Sequence, residues 1–378
     1  MVGPGIDPAK IAQDGTHMTS AAPGIHHVRD FLETLFSGSL PSTSATENVF
    51  SAMLAGACSP AQIAAILTAL RLRGENASTM SAGATAMREA AGNFPLQDKL
   101  RPIADNCGTG GDGSHSFNIS TASAIVAAAA GVRVAKHGNR SVSSKCGSAD
   151  LLFAAGFPDT LSPTQVFQLL EKTGFTFFFA PHFHPGMKHI MPVRQALGVR
   201  TIFNLLGPLA NPIRPDVQMI GVGSRQYVEP MAEAAKALGM RRALIVHSRD
   251  GLDEISPADV TDAAFLDRGK VSSIEISPKA FKISGSIQEL KGGDSAENLG
   301  ILRRLLDGRS HLSGAESVFD AVKLNAGALL WLYGESPGTP ANLEVGVQVA
   351  EETLTSGRAK KFFQDWLGTA KQLATSSS

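Results

Sequence analysis

The spacing of apolar positions changes along this chain, and the change divides it into two regions. From Val28 to about Asn93 the apolar positions recur at helical spacing. From Arg101 onward, short apolar runs alternate with longer stretches of helical spacing. Such alternation is typical of a largely parallel sheet with helices on its faces. The pattern therefore predicts a small helical domain followed by a larger α/β domain.

Local signals indicate where the helices of the first region begin and end. Residues 44–47, Ser-Ala-Thr-Glu, form a capping-box pattern, which predicts a helix that begins at Ser44. Ser59-Pro60 supplies an N-cap and a proline at the first helical position, and Gly74 marks the end of that helix. A further helix is predicted from Ser81 to Gly92.

The second region is predicted to contain the sheet and the helices that cover it. The expected strands are 102–106, 132–135, 175–180, 217–222 and 242–247, with a hairpin at 260–276. The expected helices are 119–130, 147–155, 163–173, 226–238, 295–307, 315–333 and 342–370. Residues 175–180 are nearly all apolar, as is typical of a strand buried on both faces.

Composition narrows the class of protein. The chain has 378 residues, 43% of them hydrophobic, and a formal net charge of zero. Zero net charge argues against binding to nucleic acid through bulk positive charge. The sequence has no apolar run of the length that spans a membrane and no secretory signal pattern at its N-terminus. Three cysteines without metal-ligand spacing favour a reducing compartment, so we expect a cytoplasmic protein.

A glycine-rich stretch is the first candidate for chemistry. Residues 107–113, Cys-Gly-Thr-Gly-Gly-Asp-Gly, follow one predicted strand and precede a predicted helix. Glycines let the backbone turn sharply and approach a ligand closely. The N–H groups of such a turn and of the helix that follows it favour an anion, such as a phosphate or pyrophosphate. A tight turn without a ligand is the alternative that a glycine cluster alone leaves open.

A second polar loop, residues 136–150, follows the next predicted strand. Lys136, Arg140 and Lys145 place three cations within ten residues, with serine hydroxyls and glycines among them. Cations and hydroxyls in this arrangement suit a polyphosphate ester. A solvated basic loop is the alternative, and the phosphate-type loop one strand–helix unit earlier counts against it.

Two further segments carry candidate binding residues. Residues 181–212 contain Arg194, and residues 251–256 place Asp253 and Glu254 side by side after a predicted strand. Taken alone, these residues would be a surface ion-pair partner and a solvated acidic loop. The first segment also holds three histidines, which lack the nearby cysteine or carboxylate partners that a zinc site usually needs: His182, His184 and His189.

Together the four segments resemble anthranilate phosphoribosyltransferases over about residues 28–370. Enzymes of this family transfer the phosphoribosyl group of phosphoribosyl pyrophosphate (PRPP) to the amine of anthranilate and release pyrophosphate. This reaction is the second step of tryptophan biosynthesis from chorismate. The resemblance implies Mg²⁺ as cofactor, a homodimer formed through the helical domain, and small-molecule partners rather than nucleic acid or membrane.

The resemblance also implies a division into domains. The small helical domain is expected to be discontinuous, comprising residues 25–98 joined by about 187–212. The larger α/β domain, of the nucleoside phosphorylase and phosphoribosyltransferase type, is expected to comprise residues 99–186 and 213–372, with a central, largely parallel sheet. Residues 1–24, rich in Gly, Pro, Ala, Ser and Thr, are expected to be a disordered extension.

Individual roles follow from the positions that match the family's motifs. The residues expected to bind PRPP are Gly108, Gly110, Gly111, Asp112, Ser116, Asn118, Ile119, Ser120, Thr121, Lys136, His137, Gly138, Asn139, Arg140, Ser141, Val142, Ser143, Ser144 and Ser148. Anthranilate is expected at Gly108, Asn139 and Arg194, with His182 or His184 lining its pocket, and Mg²⁺ at Ser120, Asp253 and Glu254. No general base is assigned, because a neutral aromatic amine is already nucleophilic.

Two alternatives share the expected fold. A pyrimidine nucleoside phosphorylase takes phosphate and a nucleoside, so it has less need of the paired carboxylates Asp253 and Glu254. A catalytically inactive relative that binds nucleic acid would be expected to have a basic surface and a broken substrate loop. The zero net charge and the intact Lys136–Arg140 motif both count against that alternative.

Overall fold

Seven strands form one sheet among the residues that the structure describes. The computed structural model describes residues 25–92, 100–141, 145–334 and 342–376. The strands are β1 (Ala104–Asn106), β2 (Val134–Gly138), β3 (Phe175–Phe179), β4 (Val217–Gly221), β5 (Arg242–Ser248), β6 (Thr261–Asp267) and β7 (Lys270–Ile276). Strands β1 to β5 are parallel, whereas β6 and β7 are antiparallel to their neighbours. The predicted α/β class, its largely parallel sheet and the terminal hairpin are confirmed.

The order of the strands creates a crevice at the carboxyl ends of the central strands. That order is β3-β2-β1-β4-β5-β6-β7. From β1 the chain moves outward to β2 and β3, then returns to pair β4 with the other side of β1. The connections that leave β1 and β4 therefore diverge, which makes their carboxyl ends a topological switch point. Open α/β sheets bind ligands at such a point.

Helices precede, connect and follow the strands. Those that precede the sheet are α1 (Ile25–Phe36), α2 (Thr43–Leu54), α3 (Pro60–Arg73) and α4 (Ala77–Ala90). Those between strands are α5 (Ile119–Ala129), α6 (Ser148–Ala154), α7 (Pro163–Thr173), α8 (Ala180–Phe183), α9 (Met191–Leu197), α10 (Phe203–Leu209) and α11 (Val228–Ala237). Those after the hairpin are α12 (Ser295–Asp307), α13 (Glu316–Tyr333), α14 (Leu343–Thr355) and α15 (Arg358–Thr375). A helix able to cross a membrane is not found among the described residues.

Two predicted helix starts are wrong. Helix α2 begins at Thr43, because Ser42 is the N-cap and its hydroxyl accepts a hydrogen bond from the N–H of Ala45 at 3.1 Å. Helix α4 begins at Ala77, since Asn76 caps it and Ser81 lies buried inside it. The start of α3 is confirmed, with Ser59 as N-cap in a capping box. In both errors a neighbouring residue supplies the capping oxygen that the N-terminal N–H groups require.

The predicted C-terminal helix 342–370 is two helices. Helix α14 ends at Thr355 and α15 begins at Arg358. Gly357 lies between them with φ +78°, a left-handed conformation that ends a right-handed helix and that glycine adopts without strain.

Two apolar cores lie on opposite faces of the sheet. In β5, Leu244 and Val246 belong to the core shared with α5, α13 and α15, whereas Ala243 and Ile245 belong to the other core. That second core contains α1 to α4, α10 and α11, and the ring of Phe203 in α10 lies 5.6 Å from that of Phe50 in α2. Part of the segment 187–212 thus packs against the N-terminal helices.

A buried carboxylate connects three strands with the segment that contains α10. Asp105 in β1 is fully buried. Its Oδ1 accepts from the N–H of His137 in β2 at 3.1 Å, and its Oδ2 accepts from Asn211 and from Gln218 in β4, both at 3.0 Å. Burial raises the pKa of Asp105 to about 6, against the effect of nearby Lys136 and of the hydrogen bonds. This network holds the strands that meet at the switch point.

Candidate active site

Loops from four strands meet at the carboxyl ends of the sheet. The turn after β1 contacts the end of β4, where the N–H of Thr109 donates to the carbonyl of Gly221 at 2.8 Å. The same turn reaches the loop after β5, where the N–H of Gly110 donates to Oδ2 of Asp253 at 3.0 Å. Asn118 at the end of the turn donates to the carbonyl of Cys146, in the loop after β2, at 3.1 Å. The structure therefore brings together the glycine-rich, basic and acidic segments that the sequence singled out.

The glycine turn is exposed, and its backbone conformation suits the binding of an anion. Gly110, Gly111 and Gly113 have φ values of +62°, +77° and +73°, which L-residues with side chains rarely adopt. At Gly108, a Cβ would lie 2.9 Å from Oδ2 of Asp253. Among the described residues, the N–H groups of Gly111 to Gly113 have no hydrogen-bond partner. Successive unpartnered N–H groups in such a turn suit a phosphate.

The N-terminus of α5 opens into the same crevice. Asn118 does not cap this helix, because its side chain bonds instead to the Cys146 carbonyl and to Asn298. Asn118 therefore satisfies none of the first N–H groups of α5, although the N–H of Ser120 interacts with the carboxyl group of Glu254. Helix N-termini favour anions through these N–H groups and the helix dipole.

Strand β2 extends further than predicted, and this changes the position of two candidate residues. The strand runs to Gly138, so Lys136 and His137 belong to it and are buried. The Nζ of Lys136 donates to the backbone carbonyl of Asn106 at 2.5 Å and to the hydroxyl of Ser120 at 3.3 Å. Lys136 thus holds β1 and α5 together, whereas the sequence predicts that it belongs to a polar loop that binds PRPP.

The exposed part of the basic loop begins at Asn139. Arg140 lies 3.6 Å from the carboxylate of Asp150, and its guanidinium stands over the ring of Phe153 at 5.2 Å. Asp150 also accepts from the N–H groups of Ser141 and Gly147, which closes the loop. Ser148 donates to the carbonyl of Asn139 at 3.3 Å. Val142, Ser143 and Ser144, all expected to bind PRPP, lie outside the described residues.

The acidic segment carries two carboxylates whose pKa values are raised. The pKa of Asp253 rises to about 7, through burial and then through the neighbouring Asp112. The pKa of Glu254 lies well above its ordinary value, through burial and then through Asp253, although Lys136 opposes this. Carboxylates that repel each other in this way suit a hard cation such as Mg²⁺. Among the described residues no three acidic, histidine or cysteine side chains are grouped so that they could hold a metal.

Two neutral histidines lie at the base of the crevice beside the 187–212 segment. The Nδ1 of His137 donates to the carbonyl of Gly207 at 3.1 Å, and its ring meets that of His184 edge-on at 5.2 Å. Burial lowers the pKa of His137 to about 3 and that of His184 to about 4. His182 is instead exposed and packs against Phe179. Of the two histidines left open by the sequence, His184 is the one beside His137.

Arg194 lies on α9, half-buried and without an ion pair among the residues that the structure describes. Its Nη2 donates to Oδ1 of Asn204 at 3.3 Å, and its guanidinium stands 5.7 Å from the ring of Phe203. Burial lowers its pKa from the ordinary value. A guanidinium held by an amide and an aromatic ring is available to bind a carboxylate.

Sequence reasoning missed one residue of the crevice. Arg200, between α9 and α10, donates from Nη1 to the carbonyl of Gly111 at 3.0 Å and from Nη2 to that of Gly110 at 3.3 Å. Its partners are about ninety residues earlier in the chain. No local pattern around Arg200 indicates a contact over that separation.

Comparisons with known proteins agree with this geometry. Residues 100–360 match the Glycosyl transferase family, a/b domain, and residues 29–91 match its helical bundle domain. The chain is 44% identical to the anthranilate phosphoribosyltransferase of Shewanella sp. (strain ANA-3), over 88% of this chain and 94% of that protein. It is 42% identical to that of Rubrobacter xylanophilus, over 92% and 98%.

Solved structures give the same result. The crystal structure of anthranilate phosphoribosyltransferase from Thermus thermophilus is 41% identical with a TM-score of 0.81, and the match covers 90% of this chain and 99% of that one. The Saccharomyces cerevisiae enzyme in complex with PRPP and Mg is 27% identical with a TM-score of 0.82, covering 92% and 99%.

Replacing Asp253 with Asn should flatten the pH dependence of stability in the absence of metal. The folded-state pKa of about 7 lies above the ordinary 3.8. The stability that this group contributes is therefore fully present below about pH 4 and is lost as the pH rises to about 7. We expect the free energy of unfolding by urea, measured in EDTA from pH 4 to 8, to fall with pH more steeply in the wild type than in Asp253→Asn. Asp159→Asn, at an exposed position, is the control and should keep the pH dependence of the wild type. If the free energies of unfolding of Asp253→Asn and wild type differed by the same amount at every pH, this account would be contradicted.

Proposed function

Because the chain belongs to the anthranilate phosphoribosyltransferase family, we propose that the crevice at the switch point of its sheet binds PRPP and anthranilate. The family's reaction transfers the phosphoribosyl group of PRPP to the amine of anthranilate, with release of pyrophosphate, as the second step of tryptophan biosynthesis from chorismate. The observation that carries the proposed site is the meeting of the glycine, basic and acidic loops at the ends of β1, β2 and β5.

The glycine turn and the N-terminus of α5 would bind the pyrophosphate of PRPP. The unpartnered N–H groups of Gly111 to Gly113 are available to its oxygens, and Asn118 to Thr121 continue the same surface. The described residues of the loop after β2, Asn139 to Ser141 and Lys145 to Ser148, would also contact PRPP. Lys136 acts indirectly in this arrangement, because its ammonium is already bound to Asn106 and Ser120.

The acidic pair is the proposed place for Mg²⁺. Asp253 and Glu254 supply carboxylate oxygens of raised pKa, and the hydroxyl of Ser120 lies nearby, bound to Lys136. A magnesium ion, when bound, would offset negative charge on the pyrophosphate. The S. cerevisiae relative was solved with PRPP and Mg, which supports the same use of the metal in this chain.

Anthranilate would enter from the side of the 187–212 segment. Arg194 would bind its carboxylate, and Asn139 and Gly108 would face its ring and amine. The low pKa values keep His137 and His184 neutral. Neither histidine would therefore donate a proton to the substrate amine. An uncharged aromatic amine needs no general base to attack C1 of the ribose. The chain's contribution is therefore to align the amine with C1 and to stabilise the charge that develops on the departing pyrophosphate.

We also propose that the helical domain, residues 25–98 with about 187–212, forms a homodimer. Three large apolar side chains are exposed near the ends of α1 and α3, namely Phe36 at 64%, Leu40 at 58% and Leu72 at 82%. These ends are adjacent, since Arg73 donates from Nε to the carbonyl of Leu35 at 2.8 Å. A patch of this kind favours burial against a second copy.

A cytoplasmic location is proposed as well, because Cys58, Cys107 and Cys146 are all free thiols.

The activity is tested by the loss of anthranilate fluorescence. We expect the loss to require PRPP and Mg²⁺ together and to stop on addition of EDTA. Phosphorolysis of uridine or thymidine, with no reaction of anthranilate, would instead identify a pyrimidine nucleoside phosphorylase. A gel-shift with single-stranded DNA tests the inactive nucleic-acid-binding alternative.

Arg194→Ala should raise the KM for anthranilate and leave that for PRPP nearly unchanged. A hydrogen bond to a charged group contributes roughly 1.5–3 kcal/mol, which corresponds to an increase of about 10- to 150-fold. Steady-state kinetics with each substrate varied in turn measures the two constants. Arg303→Ala, on the exposed face of α12, is the matched control. Equal increases in both constants would show that Arg194 acts through the fold rather than on anthranilate.

Leu72→Glu should convert the dimer into a folded monomer. The side chain is 82% exposed in a single chain, so the substitution adds a charge to the proposed interface without disturbing a core. Light scattering after size-exclusion chromatography measures the mass in solution. Val345→Glu, at an exposed position of α14, should leave the mass unchanged. An unchanged dimer mass for Leu72→Glu would place the interface elsewhere.

A further inference from the structure

Arg200 connects the segment between α9 and α10 with the glycine turn after β1. It stands between α9 and α10, directly before Thr201, Ile202 and Phe203, which are buried, the last two in the core of the N-terminal helices. Its guanidinium crosses to the turn after β1, which belongs to the sheet. A movement of the helical segment relative to the sheet would therefore reach the turn through this side chain.

The contact of Arg200 determines which way the turn presents its N–H groups. Nη1 donates to the carbonyl of Gly111 and Nη2 to the carbonyl of Gly110. A peptide unit is planar and trans, so its N–H points away from its own carbonyl. Fixing these two carbonyls on Arg200 therefore directs the N–H groups of Gly111 and Asp112 to the opposite side. Those N–H groups are unpartnered among the described residues.

Glycine makes this external restraint necessary. Gly110 and Gly111 lack the side chains that would limit rotation of the peptide between them, so the turn by itself can adopt several orientations. A planar guanidinium offers two parallel donors to two neighbouring carbonyls, a geometry that a single ammonium does not reproduce. The absence of a side chain at Gly111 leaves room for the guanidinium, because a Cβ there would lie 2.8 Å from Cζ of Arg200. A Cβ at Gly110 would have no atom within 4 Å.

We propose that Arg200 is a positioning residue that orients the N–H groups of the glycine turn toward the pyrophosphate of PRPP. The inference rests on the proposed role of that turn in binding PRPP. Arg200 should therefore affect the affinity for PRPP and the departure of pyrophosphate. It should not affect the affinity for anthranilate, which would bind at Arg194.

Kinetics of two substitutions distinguish orientation from charge. Arg200→Gln should raise the KM for PRPP by about 10-fold or more, the scale expected for the loss of a charge-assisted contact, and leave the KM for anthranilate unchanged. Arg200→Lys keeps the charge but not the paired donors, so it should recover little of the loss. Thermal unfolding of each variant confirms that it is folded. Full recovery with Lys, or no change with Gln, would overturn the proposal.

Two glycine variants provide the matched comparison. Gly110→Ala and Gly111→Ala both place a side chain at positive φ, but only the second meets Arg200. In an Arg200→Gln background, Gly111→Ala should weaken PRPP binding, measured by calorimetry with Mg²⁺, less than it does in the wild type. Multiplicative losses for Gly111→Ala and Arg200→Gln would overturn the proposal. If both glycine variants bind PRPP normally, the turn is not the PRPP site, and the proposed function of this site fails rather than the role of Arg200 alone.

Discussion

The whole arrangement depends on the carboxylate of Asp105, which is buried at the switch point of the sheet, where the connections that leave β1 and β4 diverge. Removing a carboxylate from water is costly unless donors replace the lost hydration. Asp105 obtains its donors from β2, from β4 and from Asn211 beside α10. Each donor comes from a different part of the chain, so the carboxylate is satisfied only when these parts are assembled. The crevice, and with it the loops that define the site, lies at the carboxyl end of the strand that carries this charge.

The chemistry of the crevice comes from backbone and from unbalanced charge more than from reactive side chains. The glycine turn and the start of α5 offer N–H groups, whereas Asp253 and Glu254 are buried neighbouring carboxyl groups whose pKa values are raised. In the proposed site, a polyphosphate would satisfy the N–H groups and a cation would satisfy the carboxylates. A substrate that brings both phosphate oxygens and Mg²⁺ would satisfy the two halves of the proposed site together, and the cation would favour the ionised form of the carboxylates.

Much of the fold could be predicted because its signals are local and repeated. The strands, the hairpin and most helices follow from apolar spacing, glycine and capping residues. The errors occur where two local signals compete: Ser42 displaces Ser44 as a cap, Asn76 displaces Ser81, and the stop at Gly357 lies within a helical pattern. The loops of the site were found through their motifs. The burial of Lys136 and the reach of Arg200 could not be, since both depend on partners brought close only by the tertiary fold.

The β6–β7 hairpin also determines which residues line one margin of the sheet. It places β7 at one margin of the sheet, where Lys270, Ser273 and Glu275 are exposed along the strand. Charged and polar residues on an unpaired margin discourage a foreign strand from adding to it. At the opposite margin, the carbonyl of Phe175 in β3 is bound by Nε1 of Trp366 from α15 at 3.0 Å. The polar side chains of β7 disfavour the addition of a foreign strand at that margin, and the Trp366 contact occupies one backbone acceptor at the other.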